Sequence, residues 1–167
     1  GLEYFVLGKG SNILVSDKGV RGVVIATECL RALFIQDNAV CASAGLSLIN
    51  VSKACAELGL SGLEFASGIP GSIGGAAYMN AGAYDGEMKD VVTSVTVLDE
   101  SGNIREIHAD DMQFSYRHSR LKGEPLVCLA VTMQLKNGDK KDILAHIADL
   151  SERRSSRQPL ELPSAGS

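Results

Sequence analysis

Gly68-Ile69-Pro70-Gly71-Ser72-Ile73-Gly74-Gly75, continuing through Ala76-Ala77-Tyr78-Met79-Asn80-Ala81-Gly82-Ala83-Tyr84, offers its backbone rather than its side chains for chemistry. The stretch holds five of the 18 glycines and almost no charge. Ordering glycine costs conformational entropy, so a run this dense needs a backbone reason, either positive φ or an approach too close for a Cβ. Pro70-Gly71 is a turn signal. The N–H groups that follow have nothing bulky to shield them, and such a loop can wrap a pyrophosphate with main-chain hydrogen bonds. A ligand-free surface loop is the competing reading, but such loops are polar, whereas this one is apolar and small, as a buried, ligand-facing loop would be. The spacing is not the G-x-G-x-x-G dinucleotide fingerprint. A second small-residue turn, Gly8-Lys9-Gly10-Ser11-Asn12, lacks the earlier glycine of a P-loop, and Gly10 separates Lys9 from Ser11.

Among side chains, Tyr116-Arg117-His118-Ser119 combines an always-charged fork for carboxylates, Arg117, with a phenol and an imidazole. By itself Arg117 reads as a surface arginine at a strand end, Tyr116 as a hydrogen-bond donor or a packing residue, and His108, His118 and His146 as surface. Arg153, Arg154 and Arg157 complement a helix C-terminus, with a nucleotide phosphate as the sharper alternative.

The elements that must carry these residues follow from periodicity and turn chemistry. Short strands are expected at Glu3–Leu7 and Ile13–Val15, and a strand buried on both faces at Gly22–Ala26. Leu33–Gln36 and Ala39–Ser43 flank an Asp37-Asn38 hairpin turn. Helical spacing over Leu48–Leu58 ends at Gly59. Thr93–Asp99 and Ile104–His108 form a second hairpin, Ala109–Met112 a helical turn and Leu126–Leu135 a long strand. Asp139–Gln158 is an amphipathic helix facing inward through Ile143, Ile147 and Leu150. Strands dominate in mixed order, which predicts an α+β fold with mixed sheets rather than a doubly wound one.

With 45% hydrophobic and 22% charged residues, the 167-residue chain is globular in composition. A net charge of −4 with interspersed signs carries no nucleic-acid footprint. No apolar run is long enough to span a membrane, so neither nucleic acid nor membrane is expected as a partner. Cys29, Cys41, Cys55 and Cys128 lack C-x-x-C spacing and read as buried free thiols of a reducing cytosol, with no metal site. The missing initial Met and the terminal Ser164-Ala165-Gly166-Ser167 suggest a piece of a longer chain.

Six motifs in order carry a resemblance. They are Leu7–Asn12; Gly62–Gly75; Met79–Tyr84; Tyr116–Ser119; Glu152-Arg153-Arg154; and Gln158-Pro159-Leu160-Glu161 leading to Pro163–Ser167. Together they resemble the UDP-N-acetylenolpyruvoylglucosamine reductases (the MurB family), in their shorter, type II branch. The resemblance implies the FAD-binding module of vanillyl-alcohol-oxidase/PCMH-type flavoproteins, two α+β lobes with a further substrate domain. Residues 1–25 would end the first lobe, 26–158 form the second, and 159–167 begin the third domain. It also implies a cytoplasmic enzyme of peptidoglycan synthesis, with non-covalent FAD, NADPH as co-substrate and a UDP-sugar enolpyruvyl ether as acceptor; a monomer is favoured, with the oligomeric state left open.

By the same resemblance, Gly8, Lys9, Gly10, Ser11 and Asn12 hold the cofactor from one lobe. Gly68, Ile69, Pro70, Gly71, Ser72, Gly74, Gly75, Asn80, Gly82 and Ala83 hold it from the other. Tyr116 and Arg117 bind substrate, Arg117 stabilises the developing anion, and Ser167 is the proton donor. Asp85 departs from the family's usual glycine and is expected to alter only a turn. Two other readings stay open: another FAD-dependent oxidase or dehydrogenase of this fold, and a flavin-binding piece without catalysis. Flavin-tethering enzymes carry His or Cys near the phosphate loop, and Gly62–Tyr84 has neither.

Overall fold

Both expected hairpins form. In the computed structural model, which describes residues 3–158, strands β3 (Leu33–Gln36) and β4 (Ala39–Ser43) pair antiparallel around Asp37, whose φ of 54° accommodates the tight turn. Strands β8 (Val92–Leu98) and β9 (Ile104–His108) pair likewise, and Asp99 ties their turn by accepting from Ser101 N at 2.9 Å and Asn103 N at 3.0 Å. The long apolar strand β10 (Val127–Gln134) lies between the hairpins and completes a five-stranded antiparallel sheet, ordered β3-β4-β10-β8-β9.

Alternation along these strands sends Val40, Ala42, Val95, Val97, Val131 and Met133 to one face, all fully buried. Helix α1 (Leu48–Glu57) covers that core through Leu48, Val51 and Cys55. Gly59, at φ +72°, stops it as expected. A two-residue strand β5 (Leu60–Ser61) pairs with β11 (Lys136–Asn137) and leads to helix α3 (Lys140–Arg157). Asp139 caps α3 by accepting from Lys141 N at 2.8 Å, and the helix buries Ile143 and Leu150, while Ile147 is half-buried.

Three expectations change. The glycine stretch is a turn followed by a helix, α2 (Ile73–Met79). Ser72 caps α2 by accepting from Gly75 N at 3.2 Å, and packing of Ile73 and Ala77 into the core outweighs the poor helix propensity of Gly74 and Gly75. Ile13–Val15 is irregular, its residues exposed. Strand β2 (Val23–Ala26) forms but is exposed on both faces, because it pairs in parallel with β1 (Tyr4–Leu7) alone and lies outside the large sheet. Thr27 N, donating to Leu7 O at 3.0 Å, adds a rung to the β1–β2 pair, which is joined to the rest where Gly45 N donates to Leu30 O at 3.1 Å. A side chain at Gly45 would collide with the carbonyls of Thr27 and Leu30, so this join requires glycine.

Candidate functional site

Two small-residue turns face each other. The first, Gly8–Asn12, follows β1 and includes Gly10 at φ +71°. The second, Gly68–Ser72, runs into α2. A methyl group on Gly8 would strike Ser72 Oγ, and one on Gly71 would lie 3.5 Å from Ser11 Oγ. The turns therefore pass within a side chain's width of one another. Among the described residues, the backbone N–H groups of Lys9, Gly10, Ser11, Asn12, Gly71 and Ser72 donate to no protein acceptor. Lys9, Gly10, Ser11, Asn12 and Pro70 are exposed, and Gly8, Gly68, Ile69 and Gly71 are half-buried.

Other glycines of the set have packing reasons. Gly74 donates its N–H to Ala44 O at 2.9 Å, and a Cβ there would stand 2.8 Å from Ala44 Cβ. The Gly75 N–H is taken by the Ser72 cap. Gly82 and Ala83 form β6, paired with β7 (Gly86–Glu87), and a Cβ on Gly82 would lie 2.6 Å from Gly86 O. The β6–β7 turn is Tyr84-Asp85, with φ of 53° and 65°, the paired left-handed geometry of a type I′ hairpin. Aspartate tolerates that region better than most residues, so Asp85 is accommodated in the turn.

Asn80, expected among the cofactor contacts, spends its side-chain amide inside the fold. It ends α2 in the left-handed region (φ 42°, ψ 55°) and is 3% exposed. Its Nδ2 donates to Glu87 Oε2 at 2.6 Å and to Ser115 O at 3.1 Å, while Oδ1 accepts from Lys89 N at 2.9 Å. Both amide donors are used inside the fold, and none is left for a ligand. Glu87 also pairs with the Lys89 ammonium, whose hydrogen bond to that carboxylate holds the lysine pKa above its ordinary value.

Arg117 occupies the tip of a four-residue turn closed by Ser115 N to His118 O and His118 N to Ser115 O, both 3.1 Å. Its φ is 55°, unusual for a long side chain and a mark of imposed geometry. Tyr116 and Arg117 are exposed, and among the described residues the Arg117 guanidinium makes no ion pair or hydrogen bond. α2 has seven residues, so at 1.5 Å rise it spans about 10 Å. The glycine turn lies at one end of this rod and the Arg117 turn is tied to the other. Sequence reading placed Ser119 in a motif without giving it a role, and nothing in the sequence pointed to Lys122. Arg153 pairs with Asp149 at 2.8 Å, whereas Arg154 is turned onto Gly68 O. Ser167 and Pro159–Gly166 lie outside the described residues.

The chain is 49% identical over 166 residues to a UDP-N-acetylenolpyruvoylglucosamine reductase of Clostridium perfringens, covering 99% of the chain and 55% of that protein. It is 50% identical over 168 residues to the one of Caldicellulosiruptor bescii, covering 99% of the chain and 54% of the relative. The chain thus spans about half the length of the curated relatives it matches. The crystal structure of UDP-N-acetylenolpyruvylglucosamine reductase (MurB) from Thermus caldophilus superposes with a TM-score of 0.83 at 36% identity, over 95% of this chain and 57% of that one. A cholesterol oxidase variant from Brevibacterium sterolicum shares the fold at a TM-score of 0.57 and 18% identity, over 80% of this chain and 30% of that one. The expected α+β flavoprotein fold is therefore the fold found. Residues 1–108 match the family model described as FAD binding domain, and the chain belongs to that family.

Proposed function

We propose that the chain is the FAD-holding part of a UDP-N-acetylenolpyruvoylglucosamine reductase, which uses NADPH to reduce the enolpyruvyl ether of a UDP-sugar to UDP-N-acetylmuramate in the cytoplasm. The observation that carries this reading is the pair of facing turns. Gly8 abuts Ser72, Gly71 abuts Ser11, and six neighbouring N–H groups have no protein acceptor among the described residues. A narrow cradle of free donors, with glycine at the two closest approaches, fits a pyrophosphate, so the residues present suit FAD. In this reading Lys9, Gly10, Ser11 and Asn12 approach the phosphates from the first lobe, residues 1–25, and Gly71 and Ser72 approach from the second, residues 26–158. Pro70 and Ile69 shape the second turn. No His or Cys lies in Gly62–Tyr84 to tether the flavin, consistent with non-covalent binding.

When bound, FAD supplies hydride relay between NADPH and substrate. Arg117 forks onto the substrate carboxylate and stabilises the charge that develops beside it. Tyr116 offers a hydroxyl to the same ligand. Ser167, at the threshold of the third domain, gives the proton to the carbanionic carbon adjacent to the one that takes the hydride.

The test uses a chain extended to the full length of its relatives. Yellow protein that oxidises NADPH only when the enolpyruvyl UDP-sugar is present is the expected result. Oxidation driven by a small alcohol instead would mark another flavoenzyme of this fold, and colourless protein would overturn the cofactor assignment. Ser167→Ala should leave FAD bound and reducible while slowing reoxidation by substrate roughly 10²- to 10⁴-fold. Ser167→Cys should recover part of that rate, since a thiol is the stronger acid.

A further inference from the structure

The turn that presents Arg117 is strapped to α2 from both sides. Before the tip, Ser115 O accepts from Asn80 Nδ2 at 3.1 Å. After it, the fully buried Ser119 donates its hydroxyl to Tyr78 O at 2.8 Å. At the tip itself, Lys122 Nζ donates to Arg117 O at 2.7 Å while lying 5.5 Å from the Tyr78 ring centroid. Tyr78 and Asn80 belong to the last turn and cap of α2, whose first residue follows the glycine turn directly. Lys89 N fixes the amide orientation of Asn80, because an N–H can face only the oxygen end, and Glu87 holds the other end.

We propose that Asn80 and Ser119 are positioning residues that register Arg117 against the glycine turns, with α2 as the rigid spacer between the two. The proposal rests on the role given to Arg117 above. An exposed arginine at positive φ has little of its own to hold it, and a displacement of about 1 Å at a charge-stabilising group can cost on the order of 10²-fold in rate. Both straps are side chain to backbone, so they fix the turn's path while leaving the Arg117 guanidinium free for a ligand.

The experiment pairs two readouts on the full-length protein. One is the rate at which trypsin cleaves the Arg117–His118 bond, followed by mass spectrometry. The other is stopped-flow separation of flavin reduction by NADPH from reoxidation by the enolpyruvyl UDP-sugar. The variants are Ser119→Ala, Ser119→Thr and Asn80→Gly; the last keeps the left-handed backbone and removes only the amide. Ser119→Ala and Asn80→Gly should be nicked faster at Arg117 and should slow reoxidation roughly 10- to 10²-fold, with reduction unchanged. Ser119→Thr should restore both. In an Arg117→Ala background, Ser119→Ala should cost nothing further, since it acts through Arg117. Unchanged nicking with unchanged reoxidation would overturn the proposal, as would equal slowing of both half-reactions. Faster nicking with unchanged reoxidation would uphold the straps and remove the reaction from Arg117, overturning the functional reading instead.

Discussion

The guanidinium of Arg154 donates to the carbonyl of Gly68, 86 residues earlier in the chain, so the last helix is bonded to the first residue of the glycine stretch. The side chain also fills the space a Cβ on Gly68 would need, with Nη1 at 3.2 Å and Cδ at 3.3 Å. A second tie runs parallel to it: the Tyr84 hydroxyl donates to Leu150 O at 3.2 Å. α3 thereby holds both flanks of the segment that contains α2.

Arg154→Ala should lower stability by about 1.5 kcal/mol, the lower end for a hydrogen bond from a charged group, since the side chain is half-buried. Arg154→Lys should recover part of it, keeping charge and stem but not the fork. Urea unfolding with an unchanged slope would report this as a shift in midpoint alone. A midpoint within error of the unsubstituted chain would show that the bond contributes nothing to the fold.

Glycines should separate by what surrounds them. Gly74→Ala forces a methyl to within 2.8 Å of Ala44 Cβ and 3.3 Å of its backbone, and overpacking of this kind costs about 1–3 kcal/mol. Gly123, at φ −96° with its nearest neighbour 3.9 Å away, should accept alanine with no loss or a gain of about 0.4–1 kcal/mol. Thermal unfolding of the two variants checks the contrast. A larger Gly74→Val change should also abolish flavin binding, through displacement of Ala44 rather than contact with the ligand.

Arg117→Lys should retain FAD and near-normal reduction by NADPH, yet slow reoxidation by the enolpyruvyl UDP-sugar on the order of 10²-fold, as for loss of a transition-state donor. Single-turnover absorbance of the flavin resolves the two steps. Equal slowing of both, or of neither, would remove Arg117 from the reaction.

Thiol reactivity should follow burial. Against the expectation of four buried thiols, Cys29 is exposed and Cys41 half-buried, whereas burial pushes the Cys55 thiol up to about 11 and the Cys128 thiol up to about 12. A disulfide-exchange reagent at pH 8 should therefore titrate Cys29 quickly, Cys41 slowly, and the other two only after unfolding, because the thiolate is the reacting form. Rapid reaction of Cys128 in the native protein would contradict its place in the core.

Turn chemistry and alternation made the sheet legible: Asp37-Asn38, Gly59 and the Asp99–Asn103 segment all mark real boundaries. The glycines were legible as a close approach, and Gly8 against Ser72 is one. The helix α2 was not, because Gly74 and Gly75 argue against a helix locally while the cap of Ser72 and the burial of Ile73 and Ala77 impose one. β2 misled for the opposite reason. Val23-Val24-Ile25 has the composition of a buried strand, but what covers a strand is decided by its neighbours, and it has β1 alone. The left-handed tip at Arg117 left no local signal either, since arginine is not a residue the left-handed region favours.

The sheet order places α1, α2 and the β6–β7 hairpin in an excursion between β4 and β8, closed by β10, whose Gln134 pairs with Ala39. Such a pairing is costly to reach, since the loop entropy must be overcome before the contact repays it. At synthesis rates of roughly 5–20 residues per second, several seconds pass between the emergence of β4 and that of the strand completing its edge. During that interval the β4 edge that takes β10 is unpaired, and Val40 and Ala42 lack their Met133 and Val131 neighbours. An unpaired strand edge is a template for association, so a chain made from its N-terminus carries that exposure at β4 until β10 emerges.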